Sequence, residues 1–236
     1  MEEIDLREIK EGAIFVADAH YPHHGDDFLT LLNRLISGEI DTPQLFLMGD
    51  IFDLLFGYNS YIQTFSADAI ALLRSLSQQI EIYYFEGNHD FLIKDIFSNI
   101  KVYSRDDQPQ IFRLDQKRVA LSHGDKYALG IVYDLYCRLL RNRYLLILLR
   151  PFEKQIIDDR MVKLSQKSIC HPMEHFDERV EDILQSYRDV DLTIEGHYHQ
   201  AKIIGEYISL PSLACQNQIA VARGGEIVFE SLFTLD

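Results

Sequence analysis

Short apolar runs along this chain end, five times over, in a small cluster of polar residues. Ala13 to Ala17 leads into Asp18-Ala19-His20, Leu45 to Met48 into Gly49-Asp50-Ile51-Phe52-Asp53, and Ile80 to Phe85 into Glu86-Gly87-Asn88-His89-Asp90. Val119 to Leu121 leads into Ser122-His123-Gly124-Asp125, and Leu192 to Glu195 into Gly196-His197-Tyr198-His199. Apolar runs of this length, bounded by turn-forming residues, predict buried strands. A single polar cluster after a strand is common. Five, all carrying Asp, Asn or His, predict that the strand ends converge in space.

Between the first three runs the period changes. From Asp26 onward, Phe28, Leu31, Leu32 and Leu35 fall on one helical face before Gly38 stops it; Ile62, Phe65, Ala69, Leu72 and Leu76 form a second stripe. The resulting β-α-β-α-β order predicts parallel strands with crossover helices. Ligands of such sheets gather beyond the carboxyl ends of the strands, where Asp18, Asp50 and Asn88 lie. The second half reads differently. Asp115-Gln116-Lys117 and Gly224-Gly225 each sit between two strand-like runs, so hairpins and antiparallel pairing are expected there. Between the hairpins lies a segment read as helices, with Asp134, Arg138 and Arg141 on one face and Ile131, Leu135, Leu139 and Leu146 on another. A further helix is expected from about Met173 to Tyr187. The organisation expected is one domain over residues 1–236 with a helical insertion at about 126–170.

Charge sharpens the picture of that insertion. The chain of 236 residues carries a formal charge of -14, which argues against a nucleic-acid binder, because affinity for a phosphate backbone comes from clustered Lys and Arg. From Lys126 to Lys167, however, nine Lys or Arg face four Asp or Glu, so this stretch is basic within an acidic protein. Cys137, Cys170 and Cys215 are odd in number and lack CxxC spacing, so neither a disulfide framework nor a structural zinc is indicated, and a reducing, cytoplasmic location is the default expectation. The acidic start, Met1 to Asp5, is unlike a signal peptide, and no apolar stretch is long enough to span a bilayer.

Two residues apart on an extended segment, Asp18 and His20 point the same way and can bind one ion. Asp50 has two carboxylate oxygens and can bridge to a second, and Asn88, His123, His197 and His199 complete two shells. Carboxylate, amide and imidazole ligation without thiolate suits Mn²⁺, Fe or Zn²⁺. A pair of ions so held supports hydrolysis of a phosphoryl compound.

The series Asp18-x-His20, Gly49-Asp50-x-x-Asp53, Gly87-Asn88-His89-Asp90, His123 and Gly196-His197-x-His199 resembles the calcineurin-like metallophosphoesterases over nearly the whole chain. The resemblance implies an α/β fold, a β-sandwich flanked by helices with a lid-like helical insertion. It implies Asp18, His20, Asp50 and His199 on one metal, and Asp50, Asn88, His123 and His197 on the other. It also implies that His89, oriented by Asp90, stabilises or protonates the leaving group. Within that superfamily, Gly49 to Asp53, the run Asn88 to Leu92, Ser122 to Asp125 and the arginine- and leucine-rich insert are similar to the UDP-2,3-diacylglucosamine hydrolases, whose best-known members carry Arg where this chain has His89. Membership there implies cleavage of a lipid-linked UDP-sugar in lipid A biosynthesis, with two divalent ions, typically Mn²⁺. Asp125, Arg160, Lys163 and Lys167 are then the expected substrate contacts, and the cytoplasmic face of the inner membrane the expected peripheral partner.

Rival readings are a soluble phosphodiesterase or phosphatase acting on nucleotides or phosphoproteins, and a non-catalytic metal-binding scaffold. His23 and His24 are candidates for the pocket wall, and His171 and His175, four apart, for a further metal pair.

Overall fold

The computed structural model describes residues 6–127 and 130–235, so the acidic Met1 to Asp5, and the signal-peptide reading made on it, lie outside the described residues. A two-residue strand β1 (Arg7–Glu8) precedes β2 (Ile14–Val16), whose three residues are all buried. Helix α1 (Asp27–Ser37) follows, burying Phe28, Leu31, Leu32 and Leu35, the face its spacing predicts. Gly38 ends it in the left-handed region at φ 73°, a conformation that costs glycine little. Next come β3 (Gln44–Leu47), β4 (Leu55–Phe56), the single turn α2 (Ser60–Gln63), α3 (Ala67–Leu76) and β5 (Glu81–Phe85). The second predicted stripe is therefore broken by a 3₁₀ turn at Thr64–Ser66, and α3 buries Ala69, Ile70, Leu73 and Leu76 rather than Leu72.

After β6 (Asp90–Phe91) and β7 (Lys101–Tyr103), β8 (Gln110–Leu114) and β9 (Lys117–Ser122) form the first expected hairpin. The insertion is three helices, α4 (Gly130–Leu140), α5 (Arg143–Leu149) and α6 (Glu153–Ser165). Helix α7 (Phe176–Leu184) is shorter than predicted and leads to β10 (Leu192–Glu195), β11 (Lys202–Ile204) and β12 (Tyr207–Ser209). A short helix α8 (Leu213–Gln216) and the second hairpin, β13 (Gln218–Arg223) with β14 (Glu226–Ser231), close the fold.

Two six-stranded sheets result, in the orders β14-β13-β2-β3-β5-β7 and β1-β8-β9-β10-β12-β11. The run β2, β3, β5, β7 is parallel, as the β-α-β-α-β reading requires. In the other sheet β9, β10 and β12 are also parallel, so the second half is mixed rather than antiparallel. Alternation along each strand builds the layers. Ile14, Val16, Leu45, Leu47, Ile82 and Tyr84 face the helices α1 and α3, while Phe15, Phe46, Tyr83 and Phe85 face the opposite sheet. Phe46 stacks on Phe15 at 4.5 Å and on Tyr83 at 4.8 Å, and meets Phe112 of the other sheet edge-on at 5.4 Å. Helix α7 covers the outer face of the second sheet through Phe176, Val180 and Ile183.

One expectation fails here. Cys170 and Cys215 form a disulfide across 45 residues of sequence, and Cys137 alone among the described residues is a free, buried thiol. The apolar face of α4 is open to solvent: Ile131, Leu135 and Leu139 are 88%, 68% and 56% exposed. No helix among the described residues is long and apolar enough to cross a membrane. Because Phe46 is the ring through which both sheets stack, Phe46→Ala is expected to cost about 3–5 kcal/mol of stability. Urea unfolding checks this, and a loss below about 1 kcal/mol would mean the sheets do not depend on that ring.

Candidate metal centre

Every cluster read from the sequence sits at the carboxyl end of a strand, and the two sheets bring those ends together. The close approach is possible only where side chains are missing. A Cβ on Gly87 would lie 2.3 Å from Asp50 Oδ1, and one on Gly49, at φ 86°, 2.3 Å from His123 Nδ1. Asp18, His20, Asp50, His197 and His199 all adopt left-handed backbone, with φ from 46° to 64°. Each such residue costs of order 1–3 kcal/mol, and strain of that kind gathers at functional sites.

Asp18, His20 and His199 form one group, and Asp50, His123 and His197 a second; within each group one ligand atom per residue lies within 4.8 Å of the others. His199 Nε2 stands 3.1 Å from Asp18 Oδ1, and His123 Nε2 is 3.6 Å from Asp50 Oδ2 and 3.3 Å from Asn88 Oδ1. The outer nitrogens are occupied by backbone. His123 Nδ1–H donates to the Met48 carbonyl at 2.9 Å and His199 Nδ1–H to that of Ile169 at 3.1 Å, which leaves each Nε2 free for an ion. Both ring nitrogens of His20 are buried without a hydrogen-bond partner, a rare condition that a bound cation relieves. The seven residues fit a pair of divalent ions.

Electrostatics agree. Burial drives His20 down to about 3 and, with His123 adding to it, His197 to about 4, so both are neutral imidazoles ready to ligate. Burial opposes charge on His123 as well, yet Asp50, then Asp125 and Asp18, lift it to about 9. The same negative field favours a divalent cation, which would take the place of that proton on Nε2. Burial pushes Asp18 upward, but His199 beside it holds the carboxyl below its usual range.

The turn after β5 is held by Asp90, which is fully buried. Its carboxylate accepts from the backbone N–H groups of Ile51 at 2.7 Å, Gly87 at 2.8 Å and Asp50 at 3.1 Å, and from the Tyr84 hydroxyl at 2.6 Å. Asp90 therefore ties the Asp50 turn to the Asn88 turn and does not orient the His89 ring, contrary to the expectation. His89 Nδ1–H donates instead to the Asp53 carbonyl at 2.6 Å, leaving its Nε2 for a leaving group. His23 and His24 pack on Asp53, at 2.8 and 3.6 Å, and neither lines the metal pocket. Glu195, buried beneath His197, accepts from the hydroxyls of Tyr187, Tyr207 and Ser122 and so joins the ends of β9 and β10.

The metal pocket, about 230 Å³, is lined by His20, Asp50, Asn88, His89, His197 and His199, with Lys167, Ser168, Ile169 and His171 from the limb that follows α6. A second cavity of about 490 Å³ lies between insert and core, walled by Phe56, Phe91, Tyr136, Leu140, Leu146, Leu149 and Ile156, with Arg160 and Lys163 among its polar residues. Asn88 and His89 line both spaces. Of the expected substrate contacts, Lys167 thus reaches the metal pocket, and Arg160 and Lys163 the apolar cavity. Asp125 reaches neither: Arg105 Nε holds it at 2.9 Å and extends Nη1 to Asp134 of α4 at 2.6 Å, which fastens the insert to the core. Arg141 of the insert donates to the Gly87 carbonyl at 2.7 Å. His171 and His175 do not pair, since His175 is exposed and bonds Glu178 at 3.0 Å. The place of His171 in the pocket wall carried no sequence signal beyond its type.

The family model described as calcineurin-like phosphoesterase matches residues 13–201, and the chain belongs to that family. Similar proteins include UDP-2,3-diacylglucosamine hydrolases of Proteus mirabilis, 25% identical over 80% of this chain and 82% of the relative, and of Aeromonas hydrophila, 28% identical over the same shares. A looser likeness, 14% identity and a TM-score of 0.46 over 95% of this chain and 94% of the other, is to Yfce, a phosphoesterase from E. coli.

Divalent ions bound by these ligands supply Lewis acidity to a phosphoryl group. The chain's own parts would do the rest: Lys167 in the pocket wall stands where phosphate oxygens would come, and His89, as an imidazolium with its Nδ1–H on the Asp53 carbonyl, would present an Nε2–H to a departing oxygen. Asp50→Ala is expected to reduce bound metal at both positions, measured by elemental analysis; two ions still tightly held in that variant would contradict a shared ligand. His89→Ala is expected to keep the metals and lower kcat by about 10²- to 10⁴-fold, and an unchanged kcat would remove His89 from the chemistry.

Proposed function

We propose that this phosphoesterase hydrolyses the pyrophosphate of UDP-2,3-diacylglucosamine, giving UMP and 2,3-diacylglucosamine 1-phosphate, with Mn²⁺ as the working metal. Water's oxygen forms the new P–O bond as the P–O–P linkage breaks. The observation that carries this reading is the apolar cavity opening onto the metal pocket at Asn88 and His89. A substrate with a charged phosphoanhydride and greasy chains fills both spaces at once, while a soluble nucleotide ester has no use for the larger one. Arg160 and Lys163 are among the residues lining the cavity and are suited to a phosphate. The resemblance in motifs and the similar hydrolases support the same substrate.

A lipid substrate also accounts for the exposed face of the insert. Ile131, Val132, Leu135 and Leu139 of α4, and Leu148 and Phe152 further along the insert, stand in solvent, and Arg138 of α4, paired with Asp134, keeps its side chain 68% exposed. An amphipathic basic surface of this kind lies at a membrane interface, its cations against anionic headgroups.

Incubation with Mn²⁺ and UDP-2,3-diacylglucosamine is expected to release UMP faster than any of a panel of soluble phosphodiesters is cleaved; the reverse preference would reject the assignment. Replacing Leu146 and Leu149 together by Ser is expected to cripple cleavage of the lipid while sparing bis-p-nitrophenyl phosphate. Equal losses on both substrates, with a fall in thermal stability, would show the cavity wall to be core instead.

A further inference from the structure

Residues 166–173 return the chain from the insert to the core, and little holds them. Residues 165–168 and 170–172 are exposed, and the apolar anchors of this limb are only partly buried: Ile169, and Met173 at its far end against the cluster under α7. Apart from the Cys170–Cys215 disulfide, its ties to the body include Met173 N–H to Gln200 Oε1 at 3.1 Å and Gln200 Nε2 to the His171 carbonyl at 3.4 Å. Yet the limb touches a metal ligand. Ile169, next to Cys170, accepts the His199 Nδ1–H, and Cys215 Sγ lies 3.7 Å from the same nitrogen. On the far side of the disulfide, α8 holds ligand backbone. Ser212 Oγ donates to the Asp18 carbonyl at 2.8 Å, and Gln216 Nε2 to the His199 carbonyl at 2.8 Å. The disulfide thus joins the element that places His199 to the limb that orients its ring.

We infer that Cys170–Cys215 is a positioning staple for the metal ligand His199, and that its reduction weakens ion binding at the Asp18–His20–His199 half of the centre. The inference rests on the metal centre alone and is independent of the lipid substrate. A dithiol reductant supplies two electrons and two protons: the S–S bond breaks into two thiols and the reductant leaves as its own disulfide. The exposed Cys170 side offers the approach. Once freed, the limb no longer keeps the Ile169 carbonyl on His199, and the ring loses the bond that selects its tautomer. Loss of such an outer partner typically weakens metal affinity about 10- to 100-fold.

The test is a Mn²⁺ titration by calorimetry, with thiols counted in parallel, on oxidised protein, on protein reduced by a water-soluble phosphine, and on the double variant Cys170→Ser/Cys215→Ser. The phosphine transfers no group to the protein; it takes oxygen from water as the disulfide becomes two thiols. Reduction is expected to weaken one of two sites by about 10- to 100-fold and leave the other unchanged, so that the second site reports an intact fold. The double variant is expected to show the weak value with or without phosphine. Reduced wild type with both affinities intact, a double variant that binds like oxidised wild type, or three free thiols after oxidation would each overturn the inference.

Discussion

Two carboxylates, Asp18 and Asp50, are held out of water at 0% and 3% exposure. Withdrawing an ion so far costs several kcal/mol unless an opposite charge meets it. Their ion-pair partners among the described residues are His199 and His123, imidazoles whose charge is conditional. The surrounding architecture is organised around that deficit. Glycines at 49 and 87 clear the space, the left-handed backbone of five ligands aims the donors, and Asp90 locks the two turns against one another. An ion pair bound there repays the desolvation, so that folding and metal loading become linked equilibria.

Because β2, β3 and β5 deliver Asp18, Asp50 and Asn88 from one sheet while β9 and β10 deliver His123 and His197 from the other, the centre exists only where the sheets stack. The aromatic contacts of Phe46 with Phe15, Tyr83 and Phe112 therefore serve the chemistry at a distance, by setting the spacing of strand ends. The insert is joined differently. Ile157, Met161 and Leu164 of α6 enter the helix-side core, Arg105 and Arg141 add polar links beside the site, and an apolar cavity remains beneath the rest. A rigid polar centre is thereby set against an apolar space of twice its volume.

Much of this was legible in the sequence, and for a physical reason. Metal ligands that follow buried strands come as short contiguous motifs, so Asp18, His20, Asp50, Asn88, His123, His197 and His199 could be grouped without coordinates. Alternation and helical spacing likewise located β2, β3, β5 and α1. What escaped depends on contacts distant in sequence. Asp90 binds backbone amides of the Asp50 turn, and Cys170 meets Cys215, with no spacing rule to announce either. The stripe Ile131, Leu135, Leu139 was legible as an apolar face, but periodicity does not say what covers it. Asp125 shares a strand-end cluster with His123 yet turns toward Arg105, a partner that no local pattern marks.

The claim on which all this rests is that seven residues from two sheets hold two ions. Anomalous diffraction at the manganese edge, from crystals grown with Mn²⁺, tests it most directly. Two peaks are expected, one among Asp18, His20 and His199 and one among Asn88, His123 and His197, with Asp50 between them. A single peak, or a pair whose protein ligands lie outside these seven residues, would contradict it.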